Sequence, residues 1–177
     1  FYLAAVIDIY KSAPDWFGSP RATELTKDEL LWHSKWMDVA IKEAEESLNE
    51  GGIPIGAVLV KGEELISTGH NRRVQDNNPM AHAEIECLRN AGLREDYEEM
   101  TLYTTLMPCA ICAGAIFQFG IRDVVVGEAR NFLGAKTCME SWGIPVMNLD
   151  LKKCYTMMKN YIEKNLKTWH GDIGRSR

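Results

Sequence analysis

The sequence predicts a three-layer α/β fold with a central mixed sheet. Three observations lead there. A long amphipathic pattern ends at Gly51-Gly52, two β-type runs follow it closely enough to pair as a hairpin, and helical and strand patterns then alternate to about residue 166.

The first helix is expected over 27–49. Thr26-Lys-Asp-Glu29 has capping-box spacing. Leu30, Leu31, Met37, Val39, Ala40, Ile41, Ala44 and Leu48 recur at roughly helical intervals. IPIGAVLV (53–60) and ELIST (64–68) read as strands around a Lys61-Gly62-Glu63 turn. Residues 70–80 form an Asn-, Asp- and Pro-rich loop. A helix over about 81–92 stops at Gly92, MTLYTTL (100–106) is a strand, and Pro108 opens a helix that Gly120 closes. RDVVVGE (122–128) and IPVMNL (144–149) are the last two strands. A short helix falls near 135–142 and a longer one over 151–166, and TWHGDIGRSR is read as a tail. Residues 1–25 have weak periodicity and are read as an N-terminal arm, so the domain proper runs over 26–177.

Composition narrows the function classes. The chain has 177 residues, enough for one domain with a real core, and 46% hydrophobic against 25% charged residues is ordinary for a globular protein. No apolar run has the length of a membrane span. The opening FYLAAVIDIY has no basic residue before it and contains Asp8, so it fits a signal peptide poorly. A net charge of −5 and a pI near 5.4 argue against a nucleic-acid partner. Five cysteines with one close pair fit a reducing compartment, the cytoplasm or the nucleus, better than a disulfide framework.

Two stretches carry chemistry. In NPMAHAEIEC, His82 and Glu84 stand two apart at a helix start; in TTLMPCAICAGAI, Cys109 and Cys112 stand three apart in the first turn of another. There the free N–H groups and the helix dipole favour thiolates, the form that binds metal. His82 adds a nitrogen from the other helix start, which makes a Cys2His set suited to Zn2+. Residues i and i+2 do not face each other along a helix, so His82 and Glu84 can share a site only if it sits off the helix end. Three ligands leave a fourth tetrahedral position open, the mark of catalytic zinc, and Glu84 is then free to carry protons. Alone, each half is weak: H-x-E arises by chance, and CxxC also serves redox and structural zinc sites. Together, H-x-E followed by P-C-x-x-C is the signature of zinc nucleobase deaminases.

With these motifs the chain resembles the cytidine and deoxycytidylate deaminase superfamily, and more closely its fungal-type cytosine deaminases, which act on the free base. The resemblance spans about residues 33–174 and also rests on GGIPIGAVL, GHNRR, VVVGEARNF and WHGDIG. It implies a five-stranded sheet between helices, a homodimer, and hydrolysis of cytosine to uracil and ammonia in pyrimidine salvage. It also implies that His82, Cys109 and Cys112 hold zinc and that Glu84 is the proton shuttle. Asn71 would bind the pyrimidine edge, Phe132 would stack on the ring, and Asp172 and Trp169 of the tail would bind and close over it. Ile55 and Leu106 would line the pocket, with backbone groups around Ala83, Met107 and Cys109 completing it. Departures are Ala83 for a glycine, Met107 for a serine, and His170-Gly171 where fungal enzymes tend to carry an aromatic and an acidic residue. The altered tail keeps other small heterocycles such as guanine in view. The zinc motifs are shared with tRNA adenosine deaminases, and a structural zinc module with Glu84 as fourth ligand is the rival outside enzymology.

Overall fold

The computed structural model describes residues 25–174. The arm expected over 1–25 lies outside them except for Leu25. Helix α1 (Lys27–Asn49) starts on the expected capping box: the Thr26 side chain accepts from the Glu29 N–H at 3.2 Å, and the Glu29 carboxylate accepts from the Thr26 N–H at 2.9 Å. Its buried face differs from the expected one. Trp36, Met37, Ala40, Ile41, Ala44 and Ser47 are buried, whereas Leu30, Leu31 and Leu48 are exposed. Ser47 is buried because its hydroxyl lies within hydrogen-bond distance of the Ile53 and Asn71 carbonyls, at 2.7 and 2.6 Å.

Strand β1 (Gly56–Lys61) begins three residues later than expected. Pro54 has no N–H to give a ladder, and the Ile55 N–H turns back to the Ile53 carbonyl at 2.7 Å. β1 pairs antiparallel with β2 (Glu64–His70) through a two-residue Gly62-Glu63 turn; Gly62 takes the positive φ, 56°, that such tight hairpins require. Then come α2 (Ala83–Ala91), a 3-10 turn at Tyr97–Glu99, β3 (Thr101–Thr104), α3 (Ala110–Phe119), β4 (Asp123–Val126), α4 (Lys136–Ser141), β5 (Val146–Asn148) and α5 (Lys152–Lys164). The chain does not end in an irregular tail. After Asn165 it forms α6 (Leu166–Asp172), a short helix that puts Trp169 and Asp172 on one side, three residues apart.

The sheet order is β2-β1-β3-β4-β5, with β1 antiparallel to both neighbours and β3, β4 and β5 parallel. Strand alternation divides the core. Ala57, Leu59, Leu102, Val124 and Val126 pack in a cluster with α2, α3 and Trp169; Val58, Val60, Tyr103 and Val125 pack in a second cluster with Trp36, Met37, Ala40 and Ile41 of α1. This is the expected three-layer, five-stranded α/β architecture. All five cysteines are free, and among the described residues no helix is long and apolar enough to cross a membrane.

Two glycines let helices sit against the sheet. A Cβ on Gly56 would lie 2.1 Å from the Ala40 carbonyl oxygen, and one on Gly69 would lie 2.3 Å from the Cys87 nitrogen and 2.8 Å from the Ala83 carbonyl oxygen. These obstacles are backbone atoms of α1 and α2, which cannot step aside as a flexible side chain would. Gly69→Ala should therefore push α2 off the sheet and destabilise the fold by about 2–3 kcal/mol. A urea titration checks this, with a lower midpoint and an unchanged slope as the expected result.

Candidate active site

Two helices begin at one place. His82 is the N-cap of α2 with extended backbone, and Cys109 is the N-cap of α3, also extended, which leaves Cys112 in the first turn. Their side chains point off the helix ends, so the awkward i, i+2 spacing of His82 and Glu84 is resolved as the sequence required. His82 Nδ1 lies 3.4 Å from Cys109 Sγ and 3.6 Å from Cys112 Sγ, and the two sulfurs are 3.6 Å apart. A tetrahedral centre with Zn–S near 2.3 Å and Zn–N near 2.0–2.1 Å would space its sulfurs about 3.8 Å apart, and sulfur from nitrogen about 3.6 Å. The donor set therefore fits zinc both in chemistry and in spacing. Among the described residues, this trio is the group of His, Cys, Asp and Glu side chains arranged to hold a metal.

The electrostatics of the trio suit a cation. The Cys112 thiol beside Cys109, together with His82, brings Cys109 down to about 4, while the hydrogen bond to Cys109 and burial push Cys112 well up. His82 is raised to about 9, chiefly by its contact with Cys109.

Glu84 follows within the same helix turn and is 4% exposed. The Thr104 hydroxyl lies 3.3 Å from its Oε1, and the Cys112 sulfur 3.3 Å from its Oε2. Burial, reinforced by the Cys109 charge, lifts its carboxyl to about 7. A carboxyl beside a metal-binding trio and near neutrality can both take and give a proton.

A cavity opens above this floor. Ile55, Leu106 and Met107 give it apolar walls, Phe132 and Trp169 line it as a pair in edge-to-face contact with ring centroids 5.7 Å apart, and Asn71 and Asp172 line it with His82, Glu84 and Cys109. Ten of the twelve expected site residues thus meet in one cavity. Ala83 and Cys112 do not line it: the Ala83 side chain belongs to the core cluster and Cys112 is fully buried.

Asn71 and Asp172 each leave one buried polar atom without a hydrogen-bond partner among the described residues, Nδ2 and Oδ1 respectively. The orientation of Asn71 is set. Its N–H donates to the Ile55 carbonyl at 2.9 Å and its Oδ1 accepts the Arg73 N–H at 3.1 Å, so the amide NH2 is the free end. Asp172 Oδ1 stands 3.4 Å from Arg73 Nε and 3.6 Å from His82 Nε2. Thr104 and Arg73 did not stand out in the sequence. Thr104 is a strand-end residue whose role depends on β3 ending beside α2, and Arg73 is one of two arginines after Asn71 with nothing local to separate them.

Behind Phe132 and Trp169 lies a second cavity of about 330 Å3, lined also by Leu133, Ile162, Leu166, His170 and Ile173. His170, one of the tail departures, lines this second cavity and not the first.

Comparison with known proteins agrees with the geometry. The sequence profile of the cytidine and deoxycytidylate deaminase zinc-binding region matches residues 30–128. The chain is 38% identical to cytosine deaminase of Candida albicans over 143 residues, 79% of this chain and 95% of that one. It is 37% identical to the tRNA-specific adenosine deaminase of Buchnera aphidicola over 135 residues, 75% of this chain and 86% of that one. The fold matches guanine deaminase of Nitrosomonas europaea with a TM-score of 0.63 at 21% identity, covering 85% of this chain and 93% of that one. A His-Cys-Cys trio with zinc spacing, set in a five-stranded α/β fold and within the matched region, makes this chain a member of the cytidine and deoxycytidylate deaminase family and a zinc-dependent deaminating hydrolase.

Proposed function

We propose that the protein deaminates the free base cytosine to uracil and ammonia and serves pyrimidine salvage as a homodimer. The observation that carries the substrate choice is the pair of unsatisfied groups in the pocket. Asn71 Nδ2 is a buried donor and Asp172 Oδ1 a buried acceptor. A pyrimidine with a ring carbonyl and an exocyclic amine offers the complementary acceptor and donor. The apolar faces of Phe132 and Trp169 suit a flat ring between them and the floor. The similarity to a cytosine deaminase along most of both chains supports the same reading.

In this reading His82, Cys109 and Cys112 hold the zinc ion, which when bound supplies Lewis acidity and an activated water at neutral pH. Asn71 and Asp172 hold the ring so that its amine-bearing carbon faces the floor. Glu84 takes a proton from the attacking water and passes it to the ring nitrogen; it then takes the remaining proton of the added hydroxyl and gives it to the amine, which leaves as ammonia as the new carbonyl forms. Thr104 steadies the Glu84 carboxylate from the strand side. Water adds and ammonia leaves, with no other reactant.

A second reading, deamination of adenosine in tRNA, is favoured by the Buchnera relative. Against it stand the net charge of −5 and the closure of the pocket by α6, whose Trp169 is 4% exposed.

Two outcomes follow for the purified protein. Ammonia release over a panel of cytosine, guanine, adenine and tRNA should be greatest with cytosine. No turnover of cytosine beside good turnover of another substrate reverses the choice, and RNA binding that weakens steeply with salt revives the tRNA reading. Glu84→Gln should retain one zinc per chain by metal analysis while losing about 10²–10⁴-fold in kcat, whereas Cys112→Ser should lose the metal itself. A Glu84→Gln protein with wild-type turnover would remove Glu84 from the mechanism.

A further inference from the structure

The loop between β4 and α4 has no regular structure, yet it carries one wall of the pocket. At its start stands Glu128, a carboxylate with 0% exposure. Burying such a charge is costly unless donors surround it. Here they are supplied by the loop itself. Glu128 Oε2 accepts the N–H groups of Arg130 at 2.6 Å and Asn131 at 3.0 Å, and Oε1 accepts Asn131 Nδ2 at 3.0 Å. The Asn131 amide also donates to the Tyr155 carbonyl at 3.0 Å, which ties the loop to α5. The Glu128 backbone carbonyl accepts the Met107 N–H at 3.0 Å, and the far end is closed by the Ala135 N–H on the Pro108 carbonyl at 2.9 Å. Phe132 sits between these anchors and meets Trp169 edge to face.

We propose that Glu128 is a positioning residue for base binding: its buried carboxylate folds the 129–133 loop so that the Phe132 ring is held over the pocket. The inference rests on the reading of Phe132 as the ring that stacks on the base. Glu128 touches neither the base nor the ligand trio. Its effect falls on affinity through Phe132, and on the pocket floor through the backbone bond to Met107. Glutamine cannot replace it. Both carboxylate oxygens receive donors, so whichever way the amide of Glu128→Gln turns, its NH2 meets another N–H.

The test is a mutant cycle on the full chain with the base it turns over best, together with amide hydrogen exchange. In Glu128→Gln, KM should rise roughly fivefold with kcat within about twofold, the mark of lost binding rather than lost chemistry. Exchange at the Arg130 and Asn131 amides should accelerate. Phe132→Ala should raise KM by about five- to a hundredfold, the usual range for a lost base–aromatic stack, and adding Glu128→Gln to it should change KM little. If Glu128→Gln fails to fold, Asn131→Ala loosens the same loop without leaving a buried amide, and should show the same KM rise and the same dependence on Phe132. Unchanged exchange, or a KM rise that persists in full without the Phe132 ring, overturns the role of Glu128 alone. Faster exchange with KM unchanged in both Glu128→Gln and Phe132→Ala overturns the stacking reading, and the link to affinity with it.

Discussion

The structure turns on the meeting of two helix N-termini at one edge of the sheet. An α-helix leaves its first N–H groups unpaired and carries partial positive charge there, so two such ends brought together favour thiolates and carboxylates over neutral groups. His82 and Cys109 are both N-caps with extended backbone. That conformation throws their side chains outward past the helix ends and lets residues from separate helices form a triangle with edges of 3.4–3.6 Å. Moving either helix by an ångström would spoil that triangle, so the packing that fixes the helices is part of the site. Gly69 admits α2 against β2, and β3 leads through Leu106–Pro108 directly into α3.

The sheet's topology then brings every other element of the pocket to the same edge. β2, β3 and β4 end there, and β1 begins there, since Gly56 is opposite His70, Ala57 opposite Thr104, and Thr104 opposite Val126. Ile55 precedes β1, Asn71 follows β2, Leu106 follows β3, and the Glu128 loop follows β4. Open α/β sheets bind ligands outside the carboxyl ends of their strands for this reason: the loops there converge, while the strands behind them are rigid. α6 then covers the edge with Trp169 and Asp172.

This arrangement explains which parts could be read from the sequence. The zinc trio and Glu84 were legible because each half is a local pattern of fixed spacing at a helix start, with Pro79 and Pro108 marking where the starts fall. The sheet is legible because short apolar runs such as residues 57–60 and 124–126, bounded by turn residues, suit strands buried on both faces. Three things escaped. The buried face of α1 is ambiguous in the sequence because Leu30, Leu31 and Leu48 fit the period as well as Trp36 and Ser47 do; only the extent of the sheet beneath the helix decides between them. Helix α6 reads as a tail in the sequence because it is short and contains Gly171, which weakens any helix taken alone. It forms by packing Trp169 into the core cluster. Thr104, Arg73 and Glu128 act through partners 20 or more residues away in the sequence or through a loop with no pattern of its own, and no window of local sequence holds both members of such a contact.

The pocket also shows where stability has yielded to function. A buried donor left without a partner costs about 1–3 kcal/mol, and the cavity holds one, Asn71 Nδ2; Asp172 Oδ1 is buried without a hydrogen bond and faces Arg73 and His82 only across loose ion pairs of 3.4 and 3.6 Å. Glu84 is buried as well, with burial lifting its carboxyl toward neutrality. Each would be easier to accommodate as an apolar side chain, and apolar neighbours are abundant at Ile55, Leu106, Met107 and Phe132. Their cost has a use in the proposed reaction. A base with a carbonyl and an amine in the right places gives both groups a hydrogen bond at once, whereas an analogue lacking either leaves a buried group without one, which is a stronger penalty than shape alone imposes. Selectivity in this site would then come from two hydrogen-bonding atoms held rigid by their surroundings, Asn71 by the Ile55 carbonyl and the Arg73 N–H, and Asp172 by the seating of α6 on Trp169.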